Sequence, residues 1–174
     1  LLDNPCDSAG LEFTATGPTL QFNCDALIVL TGATMSALVD DQPVEFYKPL
    51  KIAAGSILKL GAIEGAGMRS YLCINGGINV PEYLGSRSTF TLGRFGGHGG
   101  RELHAGDVMH VIRSTAMPVD VHVDKDLIPV SGNEWQIRCL YGPHGAPDFF
   151  TDKDIDMLFN SDWEVHYNSS RTGV

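Results

Sequence analysis

Short runs of apolar, aromatic and β-branched residues recur along the chain, separated by turns rich in Gly, Pro and Asn. Leu11–Thr16 alternates apolar and polar positions, and Thr19–Phe22 follows after one short turn. Such alternation is typical of a strand with one face in the core. Ala26–Thr31 is almost entirely apolar, which indicates a central strand covered on both faces. The pattern predicts a mainly β fold of the sandwich or barrel kind.

Turn residues predict how some of these strands are connected. The runs Ala37–Val39 and Val44–Phe46 flank the polar turn Asp40–Pro43, which predicts a hairpin. Two similar Ala-Gly turns, at residues 54–55 and 105–106, each precede a run that is expected to be a strand. A duplicated β unit and a coincidence of turn chemistry both explain this likeness.

One segment carries a helix pattern. Thr151 can cap the first amides of a helix in which Ile155, Leu158 and Phe159 share one face. Beyond it, Trp163–Tyr167 returns to alternation and predicts a strand. We therefore expect an all-β class protein with one or two short helices.

Composition is that of an ordinary globular domain. The chain has 174 residues, of which 43% are hydrophobic, so about one domain with a packed core is expected. The net charge of −9 leaves little basic surface for nucleic acid. The longest apolar stretch, Ala26–Leu30, is too short to span a membrane, and no basic and apolar leader opens the chain. We expect a soluble, cytoplasmic protein, with one candidate subdomain change near residues 131–134.

Cysteine and histidine are spaced too irregularly to predict a metal site. The four cysteines form no C-x-x-C pair, so free, buried thiols are expected. The six histidines show no H-E-x-x-H or H-x-x-x-H arrangement, and we predict no metal. No G-x-S-x-G elbow or Cys-His signature is present, which leaves hydrolysis without a visible nucleophile.

The first polar candidate for a site lies at residues 86–101. Hydroxyls, guanidinium groups and glycine amides lie close together there, and they could hold a carboxylate, a bicarbonate-derived group or a ureido oxygen. The candidate binding residues are Arg87, Ser88, Thr89 and His98. The alternative is a glycine-rich surface loop with solvated arginines, which spacing alone favours.

Two more candidates lie toward the end of the chain. In the Gly- and Pro-rich loop 141–148, His144 could move protons near neutral pH, or it could be a solvated loop residue. Residues 167–173 make a polar strand end, in which Arg171 could stabilise an oxyanion, or they form a simple turn. Residue chemistry alone predicts a β-barrel with a polar pocket and no particular reaction.

Five motifs along the chain support a resemblance to a known family. They are Gly10–Glu12, Thr16–Leu20, Leu30–Ala33, Tyr71–Ile78 and Leu84–Phe90. Through them nearly the whole chain resembles the family once named allophanate hydrolase subunit 2. The resemblance implies a cyclophilin-like β-barrel. Because that family continues beyond both ends of this chain, residues 1–174 are expected to be a fragment of a carboxyltransferase domain, with a barrel incomplete at both ends.

The last third of the chain resembles one branch of this family. Leu140–Thr151 and Trp163–Gly173 look like urea carboxylase, including the fungal fusion called urea amidolyase. The resemblance implies a parent enzyme that uses ATP and Mg to carboxylate biotin with bicarbonate. It then transfers the carboxyl group from carboxybiotin to urea to form allophanate. By this resemblance the chain helps to bind carboxybiotin and urea, and the isolated fragment is inactive.

The resemblance also implies partners and site roles. The partners are the remaining carboxyltransferase subdomain and the biotin carboxylase and biotin carrier domains, none of which is in this chain. Charge that builds on the ureido oxygen would be met by Asn168, Ser170 and Arg171, and His144 would orient urea or relay a proton. The proposed binding residues are Arg87, Ser88, Thr89, His98 and Tyr167.

Three alternatives to urea carboxylase stay open at this point. Two are enzymes of other specificity, a 5-oxoprolinase subunit and a guanidine-directed carboxylase. The third is a noncatalytic, cyclophilin-like module that binds a regulatory protein. Sequence alone does not distinguish the substrates.

Overall fold

The computed structural model describes residues 1–114 and 121–164, and the chain divides into two compact units after Glu134. The strands of the described residues are β1 (Leu11–Thr14), β2 (Thr19–Gln21), β3 (Ala26–Gly32), β4 (Met35–Val39), β5 (Gln42–Pro43), β6 (Leu50–Ile52), β7 (Ile57–Ile63) and β8 (Arg69–Ile74). All of them lie in the first unit, together with a 3₁₀ turn at Lys125–Leu127. The helix α1 (Asp152–Asn160) lies in the second unit.

The strands form two four-stranded antiparallel sheets. The first has the order β1-β8-β3-β6 and the second the order β2-β7-β4-β5. In the first sheet β3 is an interior strand, with Ile28 facing Leu50 on β6 and Ile74 on β8. The mainly β class and the central position of this strand are confirmed.

The sheets do not close into a barrel within the described residues. The first sheet ends on β1 and β6, and the second ends on β2 and β5. Closure requires a continuous ladder between edge strands, and β2, β5 and β6 are only two or three residues long. One isolated bridge, between Thr16 and Ala62, extends past β1 and reaches β7. The expected barrel, incomplete at both ends, is thus represented among the described residues by two open antiparallel sheets.

Side chains of both sheets form one hydrophobic core. It combines residues of the first sheet, such as Ile28 and Leu72, with residues of the second, such as Leu58, and these three side chains are fully buried. The opposite face of β3 is also covered, because Leu27 and Val29 pack with Leu2. Coverage on both faces explains why this strand is apolar without alternation.

The hairpin at Asp40 is tighter than the sequence pattern indicates. Asp40 and Asp41 both have positive φ, at 48° and 63°, and the return strand is β5 at Gln42–Pro43 rather than residues 44–46. Two positive φ angles are the geometry of a two-residue hairpin turn. The Asp40 carboxylate accepts a hydrogen bond from the Ile57 amide at 2.9 Å, which lowers the Asp40 pKa and ties the turn to β7.

The two Ala-Gly turns differ in outcome. The turn at residues 54–55 is followed by β7, as predicted. After the turn at residues 105–106 no strand follows among the described residues, and only Val111 forms a bridge, with Ile78. The Asp107 carboxylate bonds back to the His104 amide within this turn, and beyond it the Asn79 amide donates to the His110 carbonyl.

The second unit is built around α1. Thr151 and Asp154 form a reciprocal capping box, in which the Thr151 amide donates to Asp154 Oδ2 at 2.8 Å and the Thr151 hydroxyl accepts from the Asp154 amide. The predicted helix is confirmed. Trp163 and Glu164 are not in a strand. The Trp163 indole N–H donates to the Leu158 carbonyl at 2.9 Å. Residues 165–167 of the expected strand lie outside the described residues. No described helix has the length and apolar character to cross a membrane.

Candidate functional site

Residues 93–101, named here the glycine loop, fold back on the segment that precedes them. The Phe90 amide donates to the Phe95 carbonyl at 2.9 Å, and the Phe95 amide returns the bond at 3.3 Å. The two rings pack at a centroid distance of 5.3 Å, and the Tyr83 ring lies 5.0 Å from that of Phe95. These contacts hold the first half of the loop against its own approach segment.

Glycine is required where the loop crosses Ser88 and Thr89. Gly97 is buried with φ at 53°, and a Cβ there would collide with the Thr89 hydroxyl. A Cβ on Gly96 would collide with the Ser88 carbonyl. Only glycine combines a positive φ with so close an approach. The structure therefore brings Ser88 and Thr89 against the loop that carries His98.

The Asp107 carboxylate binds Arg101, the last residue of the glycine loop. Arg101 donates from Nη1 and Nη2 to the two carboxylate oxygens of Asp107, at 2.7 Å each. The His104 amide donates to Oδ2 at 2.7 Å, and His98 Nε2 lies 3.9 Å from Oδ1. The Arg101 hydrogen bonds, followed by the His104 amide, hold the Asp107 pKa far below its usual range. The carboxylate is thus ionised, well shielded and fully engaged.

The sequence interpretation missed Asp107. It treated Asp107 as the first residue after a turn, with no chemical role. An acid six residues after Arg101 is an ordinary spacing, and no local pattern marks the pair. The relationship appears only when the loop folds.

Arg87 is engaged by the protein itself. Its Nη1 donates to the Val80 carbonyl at 2.8 Å, and its Nη2 lies 3.7 Å from carboxylate oxygens of Asp7 and Glu82. The Arg87 guanidinium therefore links the segment before Ser88 to the buried core residue Val80. Its predicted direct contact with substrate stays a prediction.

The glycine loop offers donors that suit an anionic oxygen. Within the described residues, the amides of Gly97, His98 and Gly99 donate no hydrogen bond to another described group. Successive backbone amides in a loop with left-handed residues are a common way to receive a carboxylate or another charged oxygen. The Thr89 hydroxyl lies beside Gly97. The donor set fits a biotin ureido oxygen or a carboxyl group in chemical character.

His144 lies in the second unit, on the loop before α1. Its ring makes an edge-to-face contact with Phe149 at 4.7 Å, while the side chain stays exposed to solvent. The Phe149 amide donates to the Gly145 carbonyl at 3.1 Å, which closes a turn around the imidazole. His144 is thus oriented and accessible. The remaining predicted site residues, Tyr167, Asn168, Ser170 and Arg171, lie outside the described residues.

Among the described residues, no three His, Cys, Asp or Glu side chains gather as a metal site. All four cysteines are free, but Cys6, Cys24 and Cys139 are exposed, so the expectation of buried thiols is wrong for these three. Cys73 is half-buried, and burial raises its pKa.

Comparison with known proteins gives the family. The family model described as carboxyltransferase domain, subdomain A and B, matches residues 1–174. The chain belongs to this carboxyltransferase family. The resemblance drawn from the sequence motifs is confirmed, and the chain is homologous to the carboxyltransferase region of urea carboxylases and urea amidolyases.

Individual members of the carboxyltransferase family give the scale of the likeness. The urea amidolyase of Saccharomyces cerevisiae is 41% identical over 100% of this chain and 10% of that protein. The crystal structure of the Kluyveromyces lactis urea carboxylase aligns with a TM-score of 0.82 and 38% identity, covering 98% of this chain and 16% of that one. A 5-oxoprolinase subunit of Escherichia coli is 35% identical over 99% of this chain and 54% of that protein. The chain thus spans about a tenth of the urea amidolyase.

Proposed function

We propose that this chain is part of the carboxyltransferase site of an ATP- and biotin-dependent urea carboxylase, which forms allophanate. The observation that carries the proposal is the match of the whole chain to the carboxyltransferase family, with urea amidolyase and urea carboxylase as similar proteins. The 5-oxoprolinase subunits are also similar, at 33% and 35% identity, so the acceptor is the point to be tested.

The reaction makes a clear demand on the protein. When bound, biotin supplies a carboxyl group whose carbon is released to a urea nitrogen, and the proton lost by that nitrogen replaces it on biotin. Negative charge must be stabilised where that bond breaks, and donors already pointed there lower the barrier without reorganising. The amides of Gly97, His98 and Gly99, with Ser88 and Thr89 beside them, are the described groups that suit this task.

Arg87 acts in this proposal through the segment it holds. Its bond to the Val80 carbonyl fixes the approach to Ser88 and Thr89, and these two residues pack on the glycine loop. His98 binds biotin or substrate from the loop itself. Its Nε2 faces Asp107, so the opposite ring nitrogen is the one available to a ligand.

The resemblance of residues 140–151 and 163–173 to urea carboxylase carries the remaining roles. His144 orients urea or relays a proton, which its exposed position beside the Phe149 ring permits. Arg171, Asn168 and Ser170 stabilise the developing negative charge, and Tyr167 contributes to binding. Arginine is suited to this role because it keeps its charge and presents a planar set of donors.

The proposal implies partners in the same, longer enzyme. They are a biotin carboxylase domain, where ATP and Mg are used, a biotin carrier domain, and the remaining carboxyltransferase subdomain. The relatives support this arrangement because the chain covers 10% to 16% of the urea amidolyases and urea carboxylases. We place the whole enzyme in the cytoplasm, and we expect this chain alone to be inactive.

The test compares variants of the longer enzyme. Urea-dependent phosphate release from ATP is measured for wild type, Arg171→Ala and His144→Ala, and biotin carboxylation is assayed separately. Arg138→Ala and His122→Ala, at exposed positions, are the matched controls. We expect urea-dependent turnover to collapse in the first pair while biotin carboxylation survives. Retention of both activities would contradict the site assignment and favour a noncatalytic binding module.

A further inference from the structure

The Asp107 carboxylate contacts three residues, Arg101, His104 and His98. Both oxygens accept from Arg101 at the end of the glycine loop, one oxygen also accepts from the His104 amide, and His98 Nε2 lies 3.9 Å away. A bidentate arginine pair fixes the direction of both side chains as well as their separation. Asp107 is therefore in a position to set the geometry of everything between residues 98 and 104.

Besides the Arg101–Asp107 pair, the second half of the glycine loop is held by packing on Thr89 and by the bond from the Gly100 amide to the Gly96 carbonyl. Gly96, Gly97, Gly99 and Gly100 all have positive φ, between 53° and 74°. Glycines of this kind have the largest conformational freedom to lose when they are ordered. The Phe90–Phe95 pairing holds the start of the loop, and the Arg101–Asp107 pair holds its end. The second contact joins two charged groups in bidentate geometry.

We propose that Asp107 is a positioning residue for carboxyl transfer, which holds the glycine loop so that His98 and the loop amides meet the carboxyl group in a fixed orientation. This inference rests on the proposed function and deepens it, because it names the device that orders the site. Asp107 touches no substrate in this account. It acts through Arg101, His98 and the His104 amide.

The substitution Asp107→Asn isolates this role. It keeps the size of the side chain and one oxygen for the His104 amide, but it removes the charge and one of the two acceptors for Arg101. Asp41→Asn is the matched control, because Asp41 makes an ion pair with Lys59 at the same 2.7 Å on the β4–β5 turn. Both variants are made in the longer enzyme.

The first readout is hydrogen exchange at the two hydrogen-bonded amides of Gly100 and His104. We expect Asp107→Asn to raise the exchange rate of these amides by about 10-fold or more, while the core strands β3 and β8 exchange as in wild type. Asp41→Asn should leave the loop unchanged. Unchanged exchange in Asp107→Asn would overturn the proposal that this carboxylate orders the loop.

The second readout is a single turnover. The enzyme is loaded with labelled bicarbonate and ATP, freed of both, and mixed with urea, and the transfer of label is followed by rapid quench. A positioning defect lowers the rate constant with full amplitude, whereas a folding defect lowers the amplitude at the wild-type rate constant. We expect Asp107→Asn to slow transfer about 10- to 100-fold at full amplitude, the effect of misplacing reacting groups by about an ångström.

The outcomes separate this inference from the proposed function. A rate constant within twofold of wild type, or a lowered amplitude alone, would overturn the role of Asp107 while urea transfer by wild type upholds the proposed function. No transfer to urea by wild type would refute the proposed function, and the inference that depends on it would fail with it.

Discussion

Arg87 donates from Nη1 to the carbonyl oxygen of Val80 at 2.8 Å, and this bond decides how its role is tested. Val80 is buried, so its carbonyl has few other partners. We predict that Arg87→Ala lowers the free energy of unfolding by about 1 kcal/mol. The measurement is guanidinium unfolding followed by far-ultraviolet circular dichroism, with the exposed Arg113→Ala as control. Unchanged stability together with a raised KM for urea would instead assign Arg87 to direct substrate contact.

Leu72 lies in the middle of the core and faces Leu11 on one neighbouring strand and Leu30 on the other. It is fully buried, so truncation leaves a cavity that the packed sheets fill only in part. We predict that Leu72→Ala lowers the free energy of unfolding by about 2–5 kcal/mol. Leu84→Ala, at a position 84% exposed, should change it by no more than about 0.5 kcal/mol. Similar effects at the two positions would contradict the core described here.

Gly97 has both a positive φ and a close neighbour, whereas Gly106 has only the positive φ. Both have positive φ, but a Cβ would collide with the Thr89 hydroxyl only at Gly97, since nothing lies within 4 Å of one at Gly106. We predict that Gly106→Ala costs about 1–2 kcal/mol for backbone conformation alone. Gly97→Ala should cost more and should also slow urea-dependent turnover in the longer enzyme. Equal unfolding midpoints for the two variants would show that Thr89 does not pack on this loop.

The ionisation of Asp107 predicts how stability depends on pH. Its folded-state pKa is lowered, first by the Arg101 hydrogen bonds and then by the His104 amide. The unfolded chain therefore binds the proton more readily, and the stabilisation is present above the ordinary Asp pKa of about 3.9. It is lost as pH falls through the lower folded-state value.

The measurement for this prediction is guanidinium unfolding at pH 6 and at pH 3. We predict that wild type loses more stability on acidification than Asp107→Asn, because the variant has no carboxylate to protonate at this position. Asp154, whose pKa is also lowered in the capping box, titrates equally in both proteins and cancels in the comparison. An identical loss in the two proteins would contradict the ion pair.

Much of the fold follows from local patterns in the sequence. The apolar run of β3 predicted a central strand covered on both faces, and Leu2 with Leu27 and Val29 provides the second cover. The cap at Thr151 predicted α1 from its first residue. These features depend on neighbours along the chain. The return strand after Asp40 was placed too late because the two Asp residues themselves adopt the left-handed turn.

The candidate site is less visible in the sequence, because tertiary contacts build it. The hydroxyl and glycine content of residues 86–101 pointed to a polar site, and Ser88 and Thr89 do lie against the glycine loop. Asp107 was missed, and a strand was expected after Gly106, since no local rule indicates that a carboxylate will turn back to Arg101. An incomplete barrel was expected from family resemblance, and the described strands form two open sheets with short edge strands.

The most direct test of the central claim is the identity of the carboxyl acceptor. The longer enzyme is loaded with labelled bicarbonate and ATP, separated from both, and offered urea, guanidine and 5-oxoproline in turn. The account predicts that urea alone takes up the label rapidly and that the product is allophanate. Rapid transfer to guanidine, 5-oxoproline-dependent turnover, or no transfer to any acceptor would contradict it.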